Sequence, residues 1–199
     1  MKKIFLTLSI SVLLFCSCSN NETSDVQNSE TKISAVLNEK NYESQKVMYQ
    51  MLSAEDKFKI WQDKIDEAIN NDDLNKNQII LLNEIKSKLL VIYFEDSKSD
   101  EKEIFKNVYL KNYLEKCQKE FEYNYFYKTF FTLNGKLPGD NFDDLDGDGN
   151  NPNCTCNQGS IWSCAGVSSD CKSSNKCTST TDGCGFLTMF ECNGRCYVR

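Results

Sequence analysis

Histidine is absent from the 199 residues. This excludes Ser-His-Asp and Cys-His nucleophilic sites, and also His-ligated zinc or haem. Proline and glycine are scarce, at 2 and 9 residues, so the chain is neither collagen-like nor of low complexity. Basic residues are outnumbered 23 to 29, and the net charge is −6. A nucleic-acid partner needs a basic face, so none is expected. Cysteines spaced C-x-x-C are missing, which removes thioredoxin-like redox sites and paired zinc knuckles. With no nucleophile motif and no phosphate loop either, no catalytic residue is assigned and no enzyme activity is expected.

Long apolar runs are also missing. Ile4 to Phe15 is mostly apolar, follows Lys2 and Lys3, and spans 12 residues. That is too short to cross a bilayer and fits the h-region of a secretory signal. Phe15-Cys16-Ser17-Cys18 follows and resembles a bacterial lipoprotein signal, in the relaxed form found in Bacteroidota. Small Ser17 makes Cys18 the better lipidated residue. Removal of residues 1–17 takes away Lys2 and Lys3 but no acid, changing the charge from −6 to −8. Residues 18–31 are rich in Ser, Asn and acids and read as a flexible tether. The expected location is an exported outer-membrane or cell-surface lipoprotein, held by its lipid anchor in an oxidising compartment.

Ile33 to Phe131 contains neither Pro nor Gly, a strong helical signal. Apolar residues recur at three- and four-residue spacing in three stripes. They are Phe58, Trp61, Ile65 and Ile69; Ile79, Leu82, Ile85, Leu89 and Ile92; and Leu110, Leu114, Cys117, Phe121 and Tyr125. Ser53 precedes Glu55 and Asp56 as an N-cap before an acidic first turn. Asn75 to Gln78 reads as a variant capping box. Helices are expected over 32–51, 54–70, 76–94 and 100–131, joined by short loops into a bundle over 32–134. Phe121 to Phe131 holds seven aromatics in eleven residues. They either pack into the bundle and its junction with the next domain or line a groove for a partner. Cys117 is either a buried free thiol or the partner in an intermolecular bridge.

Residues 135–152 form an acidic hinge. Asp144, Asp146 and Asp148 alternate before Gly149, matching the first half of a calcium loop. Thr155 stands where an EF-hand needs a bidentate Glu, and no second helix is expected, so this is not an EF-hand. A looser calcium loop or a solvated spacer remains, and calcium is the one cofactor considered.

Eight cysteines follow: Cys154, Cys156, Cys164, Cys171, Cys177, Cys184, Cys192 and Cys196. The count is even, and residues 153–199 are too few to fold on a hydrophobic core alone. Four disulfides are expected, with open connectivity. Cys154 and Cys156 should bond elsewhere, because alternate residues of an extended chain point the same way. Asn193-Gly194, between Phe186–Cys192 and Arg195–Arg199, reads as a two-residue hairpin turn. The fold class is thus α+β in several parts: an all-α bundle, then a small disulfide-rich, β-containing domain.

Cys154-Thr155-Cys156, Trp162-Ser163-Cys164, Gly183-Cys184-Gly185 and Cys192-Asn193-Gly194 carry a resemblance. Over residues 153–196 the chain is similar to the bacteriocin fulvocin C-related proteins, exported proteins with a variable helical region before such a tail. The resemblance implies a bacteriocin-like precursor whose tail acts as an antimicrobial peptide on a target-cell envelope component, partly as an extracellular fragment. The alternative is a cell-envelope lipoprotein whose tail is a binding module for a surface protein. Four basic residues against three acids leave the tail without the strongly basic face of a membrane-disrupting peptide.

Overall fold

The computed structural model describes residues 21–135, 154–160, 162, 164, 169–175 and 177–198. The expected signal segment, Cys18 and the calcium candidates Asp144, Asp146 and Asp148 lie outside them. The helices are α1 (Asn21–Asn38), α2 (Tyr42–Gln50), α3 (Ala54–Asn71), α4 (Lys76–Lys88), α5 (Asp100–Ile104), α6 (Leu110–Glu120) and α7 (Tyr123–Phe130). A 3-10 turn, Val91–Phe94, follows α4, and a π turn, Phe105–Tyr109, joins α5 to α6.

The caps explain most of the boundaries. Ser53 accepts a hydrogen bond from the Asp56 amide at 3.1 Å, and Glu55 and Asp56 occupy the first turn of α3. Asn75 accepts from the Gln78 amide at 3.0 Å, while Gln78 accepts from the Asn75 amide at 2.8 Å. That is the reciprocal capping box its sequence predicts. Glu122 starts α7 by accepting from the Tyr125 amide at 2.8 Å, and amides at this helix start hold its carboxyl below the usual range. Lys64 closes the other end of α7, donating to the carbonyls of Thr132 at 2.6 Å and Leu133 at 3.3 Å. Burial lowers the Lys64 ammonium to about 8.

Several sequence-based boundaries need correction. The tether expected over 18–31 is helical from Asn21 onward. Ser29 donates to the Asp56 carboxylate, so this segment is fixed by a tertiary contact that composition does not reveal. The helix expected over 32–51 is two helices. Buried Gln45 on α2 donates to the Val36 carbonyl at 3.0 Å, satisfying the end of α1. The helix expected over 76–94 stops at Lys88. The one expected over 100–131 contains the π turn and breaks at extended Phe121, where Glu122 caps anew.

The three predicted stripes meet in one core. Trp61, Ile65, Leu82, Ile85, Leu110, Leu114 and Cys117 are all buried. Trp61 donates its indole N–H to the Tyr49 hydroxyl at 2.9 Å, satisfying the polar atom of a fully buried ring. The aromatic run turns inward: Phe121, Phe126, Tyr127, Phe130 and Phe131 are buried.

In the tail, β1 (Ser169–Ser173) pairs antiparallel with β4 (Gly194–Val198), and β2 (Thr180–Cys184) pairs antiparallel with β3 (Phe190–Cys192). The expected hairpin at Asn193-Gly194 does not form, since β3 and β4 belong to different sheets. Gly194 serves close approach instead of a turn. A Cβ there would lie 2.7 Å from Cys171 Sγ and 2.7 Å from the Lys172 carbonyl oxygen. Its amide and carbonyl both bond Cys156, at 3.0 and 3.1 Å.

Phe186, Leu187 and Met189 from the tail belong to the same hydrophobic core as the helices. Burying side chains of this size stabilises by roughly 1.5–3 kcal/mol each. The tail and the bundle should therefore unfold together. Phe186→Ala is expected to cost about 3–5 kcal/mol. In a urea titration, far-UV dichroism and tryptophan fluorescence should shift together to a lower midpoint. Two separate transitions in the unmutated protein would contradict a shared core.

Candidate functional site

The most elaborately built part of the structure is the junction between the tail and the helices. At its centre is the loop Gly185–Met189, enclosed by the Cys184–Cys192 disulfide. Gly185 has φ of +70°, and a Cβ there would lie 2.8 Å from the Phe190 ring, so the position requires glycine. Leu187 and Thr188 also adopt left-handed φ, at 52° and 53°. Such backbone costs a side-chain-bearing residue roughly 1–2 kcal/mol. Burial offsets this, because both residues are buried against the helices. The Thr188 amide bonds the Gly185 carbonyl at 3.0 Å, and the Met189 amide bonds the Phe186 carbonyl at 3.2 Å.

Phe186 is fully buried among four rings of the helical part. Centroid distances are 5.8 Å to Tyr113, 5.8 Å to Phe126, 6.0 Å to Phe130 and 5.8 Å to Phe131. Beside it, half-buried Trp162 meets Phe126 edge-on at 5.1 Å and Tyr123 at 5.6 Å. Thr188 shares a hydrogen bond with Tyr49, whose phenol is pushed up by full burial.

Polar anchors surround the apolar plug. Lys46 donates to the Cys154 carbonyl at 2.9 Å. Lys57, with its side chain 3% exposed, pairs with Asp182 at 3.3 Å, while Asp96 stands 3.8 Å away. Gln50 donates to the Asp182 carbonyl at 3.3 Å, and Tyr123 donates to the Cys164 carbonyl. Lys106 lies over the Phe190 ring, 5.4 Å from its centroid. A charge this deeply buried needs its partner, so the Lys57–Asp182 pair fixes which surfaces meet.

All eight predicted cysteines are paired: Cys154–Cys177, Cys156–Cys171, Cys164–Cys196 and Cys184–Cys192. Cys154 and Cys156 bond elsewhere, as the extended geometry requires. The sulfurs of Cys156, Cys164 and Cys171 cluster within 4.8 Å. Each is spent in a disulfide, however, and metal ligation needs thiolate. The calcium candidates Asp144, Asp146 and Asp148, and Cys18, the residue expected to carry lipid, lie outside the described residues. Among the described residues, no helix is long and apolar enough to cross a membrane.

Cys117 is a buried free thiol. Burial pushes it up to about 12, and it shares a hydrogen bond with Tyr113. The alternative of an intermolecular bridge is not what the fold offers, since the sulfur has no route to a partner without unfolding.

Sequence reasoning did not anticipate the plug. A signal was present: Phe186-Leu187-Thr188-Met189-Phe190 is far more apolar than the polar turns before it.

No family model, curated protein or solved structure matches the chain.

The environment of Cys117 predicts its reactivity. In protein expressed from residue 21 onward, a maleimide at neutral pH should label no thiol in the native state. It should label one after unfolding without reductant. The pH dependence follows from the same burial. Above pH 9 an unfolded Cys117 loses its proton, while the folded thiol keeps it to about 12. The unfolded state then binds fewer protons, so stability should fall with rising pH across that window, by at most about 1.4 kcal/mol per unit. Cys117→Ala should flatten that part of the slope in urea titrations between pH 8 and 10.

Proposed function

We propose that this chain is a non-enzymatic, exported, bacteriocin-like lipoprotein, anchored through Cys18, whose four-disulfide tail acts as an antimicrobial module after release from the helical body. The observation that carries this reading is the buried loop Phe186–Met189. Separated from the helices, the tail keeps its four covalent braces and presents Phe186, Leu187 and Met189 to its surroundings. A rigid scaffold with a newly exposed apolar patch is equipped to engage an envelope component. While attached, the same patch is covered, so the precursor is latent. The eight-cysteine pattern and its resemblance to the fulvocin C-related proteins support the same reading.

A second reading is favoured by one feature of its own. The shared core and the Lys57–Asp182 pair bind the tail to the body as parts of one unit. In that case the intact protein is a permanent envelope binding module, and its exposed surface meets the partner.

Non-reducing intact-mass measurement on fractionated cells and medium separates the two. The precursor reading expects a fragment beginning within residues 136–153, found in the medium and eight hydrogens lighter than its reduced form. Full-length, acylated protein confined to the membrane at every growth stage would rule out release and leave the binding-module reading.

A further inference from the structure

We propose that the helical body is a receptor for the oxidised tail and captures the tail of a second copy of this chain once the two parts are no longer joined. The inference rests on the precursor reading for its biological meaning, since only a released tail can be recaptured. The recognition itself rests on the junction.

Among the described residues every contact across that junction is non-covalent, since all four disulfides lie within the tail; residues 136–153 connect the two parts in sequence. On the body side stands a socket of four rings, Tyr113, Phe126, Phe130 and Phe131, around the place of Phe186. Without the tail this socket loses its central ring, and a hole lined by aromatics faces water. On the tail side stands a loop shaped by Gly185 and the Cys184–Cys192 bridge, with Phe186 and Leu187 fully buried on docking. A large aromatic anchor in a fully desolvated pocket, ringed by polar contacts, is the arrangement that dominates protein–protein affinity. Specificity comes from charge. Lys46 on the body meets the Cys154 carbonyl, and buried Lys57 meets Asp182. A ligand without a carboxylate at that point would leave the Lys57 ammonium buried beside Asp96 alone, 3.8 Å away. The occupant that fits is therefore another oxidised tail of this same sequence. Such capture would protect the cell that carries the body on its surface.

The test starts from the intact, oxidised chain with a specific protease site inserted between residues 140 and 150. After cutting, body and tail should co-elute on size exclusion. A fluorophore-labelled tail from one cut preparation should exchange into an unlabelled one. Phe186→Ala should weaken the association roughly thirtyfold or more, as expected for a central anchor. Phe186→Leu, which keeps an apolar side chain there, should lose much less. Asp182→Asn guards against misfolding of the core variant, because it removes a charge and no volume, and it too should speed dissociation. Reducing the disulfides should abolish recapture. Immediate separation after cutting, or co-elution without exchange, would overturn recognition in trans. A growth assay on the separated tail tests the other level. If the tail exchanges between bodies yet inhibits no strain, the docking inference stands and the antimicrobial reading fails. If it inhibits growth and the same amount of tail mixed with the body inhibits equally, capture as protection is refuted while that reading survives.

Discussion

The Phe186 side chain sits where the helices and the tail share their interior, and most of the architecture can be derived from keeping it there. Four aromatic rings surround it, three of them from the run Phe121–Phe131. That run therefore needs the break at Phe121–Glu122, which tilts α7 out of line with α6 and turns its rings inward. On the other side, the loop that delivers the ring must reverse direction in very few residues. Gly185 and the left-handed Leu187 and Thr188 accomplish this at a cost in backbone energy. The Cys184–Cys192 bridge limits how far the loop can relax. A strained turn is tolerated here because the surrounding packing determines it from all sides.

The polar contacts play a different part. Lys57 and Asp182 each have little exposure, and ion pairs of this kind contribute more to choosing the correct partner than to net stability. Lys46 on the Cys154 carbonyl and Gln50 on the Asp182 carbonyl satisfy groups that the apolar plug takes out of water. Apolar burial thus provides the driving force, and the polar frame provides the register.

What was legible in the sequence was mostly local. Ser53 and the Asn75–Gln78 box announce their helices because a cap acts within one turn. The three stripes are legible because burial repeats with the helical period. The even cysteine count announces four bridges, but partner choice depends on how β1 to β4 pair, which involves contacts distant in sequence. Asn193-Gly194 misleads because glycine answers two different demands. Here it admits the Cys171 sulfur and the Lys172 carbonyl instead of a tight turn. The helical start at Asn21 is hidden because Ser- and Asn-rich composition describes solvation, whereas the Ser29–Asp56 contact is tertiary. The plug was visible as an apolar run in a polar tail. Its assignment to the helical core required knowing that the bundle leaves a vacancy among its own aromatics.

The short Cys184–Cys192 bridge also sets where the molecule can be finished. In a reducing compartment both sulfurs remain thiols and the loop that carries Phe186 is unconstrained. The ring must then pay the ordering entropy of the whole loop before it can seat. Closing the bridge consequently favours the seating of the last aromatic in the bundle's interior. Completion of the core is thereby coupled to the oxidation of a single short loop.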